Sequence, residues 1–82
     1  PLVKIKLGKK EQGIEFLVFT GATYSVLTSS LTHLSNKFVT VRGATGQSEK
    51  VYFLKPLKFK LGKQVGIHKF LYMPNSPKPL LG

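Results

Sequence analysis

The chain opens on strict alternation, with Val3, Ile5 and Leu7 on one side and Lys4 and Lys6 on the other, which predicts a half-buried strand. Gly8 and Gly13 bracket the polar segment Lys9-Lys10-Glu11-Gln12, and the apolar run Ile14 to Phe19 follows. The pair reads as a hairpin with a longer loop, its second strand more buried than its first. After Thr20-Gly21-Ala22, the apolar pair Val26-Leu27 predicts a short strand, and Thr28 to Asn36 reads as a polar surface loop with a helical turn at most. Phe38 to Arg42 and Val51 to Leu54 predict two strands joined by the small, glycine-containing stretch Gly43 to Lys50, a mobile hairpin tip. Lys55-Pro56 breaks the chain. Leu57, Phe59 and Leu61 then alternate with Lys58 and Lys60, Gly62-Lys63-Gln64 turns, and Val65 to Met73 reads as one last long strand. The proline-stiffened Pro74 to Pro79 leads to Leu80-Leu81-Gly82.

Lys4-Ile5-Lys6-Leu7-Gly8-Lys9 is echoed by Lys58-Phe59-Lys60-Leu61-Gly62-Lys63, and each copy is followed by Gly-Ile and an apolar strand. Two similar hairpins separated by a third are implied, although amphipathic lysine-rich strands also resemble one another by chance. No stretch carries a helical period over three turns, so the fold class is all-β.

Composition bounds the problem further. At 82 residues the chain forms one domain at most, and a chain of this size buries little more than roughly 60% of its unfolded surface, so stability is expected to be marginal. No apolar run approaches the roughly 20 residues that span a bilayer, and no signal-peptide pattern opens the chain. Neither a membrane partner nor a compartment is indicated. The first residue is Pro1, which suggests a piece of a longer polypeptide. Cysteine is absent, which removes disulfides and thiolate metal sites. Thirteen basic residues face only Glu11, Glu15 and Glu49, for a formal net charge of +10. Such a balance suits nucleic acid, an anionic surface or an acidic protein. The lysines are scattered singly, however, as solvated strand faces would scatter them. Their mutual repulsion acts over a Debye length of roughly 8 to 10 Å and opposes self-association at low salt.

Three segments, in order, carry a family resemblance. Leu17-Val18-Phe19-Thr20-Gly21-Ala22-Thr23-Tyr24-Ser25-Val26-Leu27 resembles the active-site segment of retroviral aspartic proteases, the retropepsins, in which an apolar pair precedes Asp-Thr-Gly-Ala. Val41-Arg42-Gly43-Ala44-Thr45-Gly46 is similar to the flap tip of the gammaretrovirus type. Tyr72-Met73-Pro74 with Pro79-Leu80-Leu81-Gly82 is similar to the strand and apolar-apolar-Gly segment behind the active-site loop. The resemblance covers residues 1–82. It implies a closed β-barrel with a flap hairpin, built from two related halves, an aspartic endopeptidase by descent, a peptide or polyprotein substrate, and no cofactor or metal. It places the catalytic position at Phe19, with Thr20 and Gly21 beside it, and substrate contacts at Ala22, Gly43, Ala44, Thr45 and Gly46.

The departures carry the functional expectation. In the family each of two identical subunits supplies one aspartate, and the two adjacent carboxylates share a proton. One activates water while the other protonates the substrate carbonyl. Phe19 has no titratable group and would fill the place of that water. The chain holds no aspartate, and Glu15 lies roughly 13 Å back along the strand at about 3.3 Å per residue. Taken alone, Phe19 also reads as a core aromatic ending a buried strand. In the family an Arg-Asp pair, a helix and a final strand follow the glycine at which this sequence stops. The expectation is an incomplete domain, a weakly stable monomer with an exposed Leu80-Leu81 end, and no symmetric homodimer.

Other chemistries find little support. His33 and His68 are the only histidines, with no cysteine or aspartate to complete a metal site. Ser25, Ser29 and Ser30 lie in no nucleophile-elbow pattern, and a Ser-His-acid triad would have to borrow a glutamate. Gly43 to Gly46 lacks the lysine of a phosphate-binding loop. Thr20 would bond across the dimer in the family, or satisfy its own loop here. Two functional classes remain: a peptidase-like domain that has lost hydrolysis but can still bind peptides, and a small basic β-barrel that binds single-stranded nucleic acid. The second would use lysines for the backbone and Tyr24, Tyr52 or Tyr72 for stacking.

Overall fold

The computed structural model describes residues 1–82 and contains nine strands and no helix. They are β1 (Leu2–Leu7), β2 (Gln12–Val18), β3 (Val26–Leu27), β4 (Leu34–Arg42), β5 (Ser48–Leu54), β6 (Leu57–Leu61), β7 (Gln64–His68), β8 (Leu71–Tyr72) and β9 (Leu80–Leu81). All belong to one sheet in the order β4-β5-β8-β3-β9-β2-β1-β6-β7. The all-β expectation holds. The order has two ends, and no ladder joins β4 to β7 to close the expected barrel.

Period-two alternation sets the inner face. Ile5 and Leu7 of β1, Phe16 of β2 and Leu57 of β6 point inward and join Leu27, Leu54 and Phe70 in the main core. The intervening lysines of β1 and β6 face water. A second, smaller cluster of Val26, Val51 and Leu71 ties the β4–β5 hairpin to the central strands. Contrary to expectation, β2 is less buried than β1. Only Phe16 is fully enclosed, while Leu17 and Val18 are half-buried.

Three boundaries differ from the sequence reading. β4 starts at Leu34, within the stretch expected to be loop, and a register shift between Leu34 and Phe38 marks a bulge. That irregularity breaks the alternation by which the strand would have been recognised. The expected strand from Val65 to Met73 is two strands, β7 and β8, because the chain turns at Lys69-Phe70 to bury the Phe70 ring. Leu80-Leu81 is not an exposed end. It is half-buried as β9, between β3 and β2.

The internal echo is structural. β1 and β6 pair antiparallel with Lys6 opposite Lys60, the same position of the two copies. Sliding the sequence by the spacing from Lys4 to Lys58 carries the parallel pairs Leu17↔Leu80 and Val18↔Leu81 onto Leu71↔Val26 and Tyr72↔Leu27. The same shift carries Phe16 onto Phe70, and those buried rings stack with centroids 5.7 Å apart. Two halves are therefore related by an approximate two-fold axis that passes between Lys6 and Lys60, and between Val26 and Leu80.

Candidate functional site

The Phe19–Ala22 loop leaves the end of β2 and is fixed by its backbone. Leu17 N–H donates to Pro79 O at 2.9 Å, Phe19 N–H to Leu81 O at 2.9 Å, and Ala22 N–H to Phe19 O at 3.0 Å. The second half repeats each bond: Leu71 N–H to Ser25 O at 2.9 Å, Met73 N–H to Leu27 O at 2.9 Å, and Ser76 N–H to Met73 O at 3.1 Å. Each half's turn thus hangs on a strand of the other half, and Met73 is the counterpart of Phe19. The C-terminal segment packs directly behind the loop. A Cβ on Gly82 would lie 2.7 Å from Ala22 O and 3.0 Å from Tyr24 O, so only glycine allows this approach.

At the tip Phe19 is 51% exposed. It is not a core aromatic, which removes that reading of the residue. Its ring lies over Gly21, where an added Cβ would come within 2.8 Å of Phe19 Cε1. Thr20 and Gly21 are exposed and Ala22 is half-buried. The loop carries no carboxylate. Glu11 pairs with Lys60 at 3.8 Å, Glu15 sits opposite Lys4 in the β1–β2 ladder, and Glu49 sits opposite Val41.

Gly43, Ala44, Thr45 and Gly46 form the exposed tip of the β4–β5 hairpin, closed by Gly43 N–H to Gln47 O at 2.8 Å and Gly46 N–H to Gly43 O at 3.0 Å. Gly46 has φ +83°, a left-handed conformation that glycine adopts without strain. The residues singled out from the sequence thus fall into two groups, a backbone-bonded loop and a hairpin tip. The four main surface cavities are lined by residues of neither group.

One juxtaposition escaped the sequence. Ser25, only 3% exposed, holds its Oγ 3.2 Å from His68 Nε2 and accepts the Gly82 N–H at 3.3 Å. The two residues stand 43 positions apart, and only the β3–β8 pairing brings them together. No glutamate lines the cavity that contains them, so the pair ties β3 to the end of β7 and is not a charge-relay nucleophile. Of the tyrosines weighed as stacking platforms, Tyr24 and Tyr52 are exposed and Tyr72 is half-buried. Tyr24 packs edge-on to Phe53, and Tyr52 packs on Phe38 beneath Lys50 Nζ, which stands 4.8 Å from the Phe38 ring centre.

The model of the family described as retroviral aspartyl protease matches residues 1–82. The chain belongs to the retroviral aspartyl protease family. Among its relatives, the Gag-Pol polyproteins of Koala retrovirus and Gibbon ape leukemia virus are 40% and 39% identical over 100% of the chain. The Gag-Pol polyprotein of Feline leukemia virus is 40% identical over the same extent. The chain spans about 5% of the length of these polyproteins. EIAV protease complexed with an inhibitor superimposes with a TM-score of 0.72 at 20% identity, covering 100% of this chain and 80% of that one, a likeness of fold. For a retroviral protease family member, the acid-free loop at Phe19 is the feature that most needs a functional account.

Proposed function

We propose that this chain is a retropepsin-like domain that cannot hydrolyse peptides and retains the capacity to hold one. The observation that carries this reading is Phe19, a half-exposed ring at the tip of a backbone-fixed loop, at the position where the resemblance puts the family's aspartate. Aspartic protease chemistry needs a carboxyl pair that shares one proton, so that one member takes a proton from water and the other gives one to the carbonyl. A phenyl ring supplies neither group. It also presents an apolar surface where the attacking water would be held. Thr20 and Gly21 keep the shape of the loop. Ala22 and the Gly43–Gly46 tip offer backbone groups to an extended peptide, which would bind by strand addition. The family's homodimer would bring two such loops together. With two phenyl rings facing each other, the paired site would be apolar where it should be acidic.

Cleavage of an unstructured polypeptide tests the reading, comparing Phe19 with Phe19→Asp in this chain and in a longer one that carries the relatives' residues after the position of Gly82. The natural residue should give no cleavage at any pH. The longer Phe19→Asp variant should gain activity favoured by acid. If that variant folds and dimerises yet stays inert, Phe19 does not stand at the catalytic position. If the natural chain cleaves, the proposed inactivity is wrong.

A further inference from the structure

The two ends of the sheet are defended unequally. β4 carries Lys37 and Arg42 and a bulge between Leu34 and Phe38, devices that discourage another strand from pairing with an edge. β7, with the sequence Gln64-Val65-Gly66-Ile67-His68, has no lysine, no proline and no register shift. Val65 and Ile67 are 73% and 66% exposed, the two most exposed large apolar residues of the chain.

The ladder shows which backbone groups are free. Gly8 N–H donates to Lys58 O at 2.9 Å, so Lys58 turns its peptide groups toward β1. By the alternation of an antiparallel strand, Lys60 does the same. Their partners across the β6–β7 ladder are Ile67 and Val65. These are therefore the non-hydrogen-bonded pairs, and the N–H and C=O of Val65 and Ile67 point outward from the edge. Cross-strand partners share a face, so the Ile67 and Val65 side chains stand beside those of Lys58 and Lys60.

The approximate two-fold axis concentrates charge at the same place. Lys6 faces Lys60 directly, an arrangement unfavourable within a sheet. Lys6, Lys9, Lys58 and Lys60 line a groove of about 560 Å³ together with Val65 and Ile67, and Glu11 is the only acid there. A free strand edge, two apolar side chains and four lysines specify an occupant that is extended, acidic and partly apolar. The geometry points to an acidic peptide segment that adds to β7 as a tenth strand, its carboxylates toward Lys58 and Lys60 and its apolar side chains on Val65 and Ile67. This surface is separate from the Phe19 loop and the Gly43–Gly46 tip. Single-stranded nucleic acid fits it less well, because the exposed rings of Tyr24, Phe38 and Tyr52 do not line the groove.

The probe is a capped peptide, about eight residues long to match a strand, in which valine and glutamate take turns at every second position so that both fall on the face of Val65, Ile67, Lys58 and Lys60, with threonine between them. Its binding is followed residue by residue by NMR and amide hydrogen exchange. The Val65 and Ile67 amides should exchange fast in the free chain and become protected on binding. Lys58→Gln with Lys60→Gln should weaken binding by roughly tenfold or more. Ile67→Pro removes an outward N–H without breaking a ladder bond and should abolish the protection. Should Ile67→Pro fail to fold, the lysine variants and the exchange pattern still decide. Absence of binding overturns the proposal, as does protection at the Gly43–Gly46 tip in place of β7. So does tighter binding of an oligothymidylate that leaves the Val65 and Ile67 amides unprotected, which would assign the face to nucleic acid. Protection that grows with protein concentration and needs no peptide would assign the edge to a second copy of the chain, and would also overturn it.

Discussion

Phe16 in β2 and Phe19, three positions on in the loop that follows, face opposite fates. Phe16 is fully buried against Phe70, whereas half of Phe19 is in solvent. Phe16→Ala should therefore cost about 3 to 5 kcal/mol, through lost transfer energy and a cavity that the sheet cannot close. A chain with roughly 0.05 to 0.15 kcal/mol of stability per residue would be left barely folded. Phe19→Asp should change stability by no more than about 0.5 kcal/mol, as surface substitutions do. Chemical denaturation midpoints of the two variants check both values, and the second makes the cleavage comparison at Phe19 a test of chemistry and not of folding. Ser25→Ala should cost about 1 kcal/mol, because the Gly82 N–H and His68 Nε2 both lose their partner. An unchanged midpoint would show that water replaces the hydroxyl. The resemblance around Phe19 was legible in the sequence because a contiguous segment carries it. The Ser25–His68 contact was not, since it depends on a parallel pairing between two strands of two residues each, too short for periodicity to register.

Among the elements, the β4–β5 hairpin is the most loosely held. Beyond the Leu54 side chain, which reaches the main core, β5 joins the rest through the single pair Phe53↔Leu71, the bond from Leu54 N–H to Phe70 O at 2.8 Å, and the small Val26, Val51 and Leu71 cluster. β1 and β2 share six paired positions and feed the main core. Amide exchange should therefore be fastest from Thr40 to Lys50 and slowest along Ile5, Leu7 and Phe16. Equal protection in both regions would show that the hairpin is not an independent opening unit. Gly46→Ala should cost about 1 kcal/mol, from its positive φ alone, since no atom lies near the added methyl. That cost should speed exchange in β4 and β5 and leave β1 and β2 unchanged. β1 and β6 could be read from the sequence because each alternates without interruption. β4 could not be bounded, since its bulge shifts the alternation partway along. The break between β7 and β8 was hidden because Val65 to Met73 stays rich in apolar residues across the turn that buries Phe70.

At the scale of the whole molecule, shape and charge act together. The chain measures 42 × 29 × 17 Å and has a Cα radius of gyration of 12.8 Å, a little above the roughly 12 Å expected for a compact domain of this length. Only 11 of 82 residues are buried, so little apolar contact opposes the repulsion of a net charge of +10. Added salt has two opposing effects. It screens repulsion among the thirteen cations, and it weakens ion pairs. Here one ion pair, Glu11 with Lys60, is present, and both partners are about half exposed, the kind of pair worth little to stability. Repulsion therefore dominates. The thermal midpoint should rise as sodium chloride is increased from about 20 to about 200 mM, a range that shortens the screening length from well over 10 Å to below it. Lys60→Glu should raise the midpoint in low salt and flatten its salt dependence, because it removes the like-charge pairing with Lys6 and lowers the net charge by two. It also removes the Glu11 partner, so a lower midpoint would mean that this local pair outweighs the collective field. The same substitution cuts the formal charge lining the groove beside β7 from +3, four lysines against Glu11, to +1, three lysines against two glutamates. A protein stabilised by Lys60→Glu but unable to take up the acidic peptide would show that the chain keeps its lysines there at a cost to its own stability.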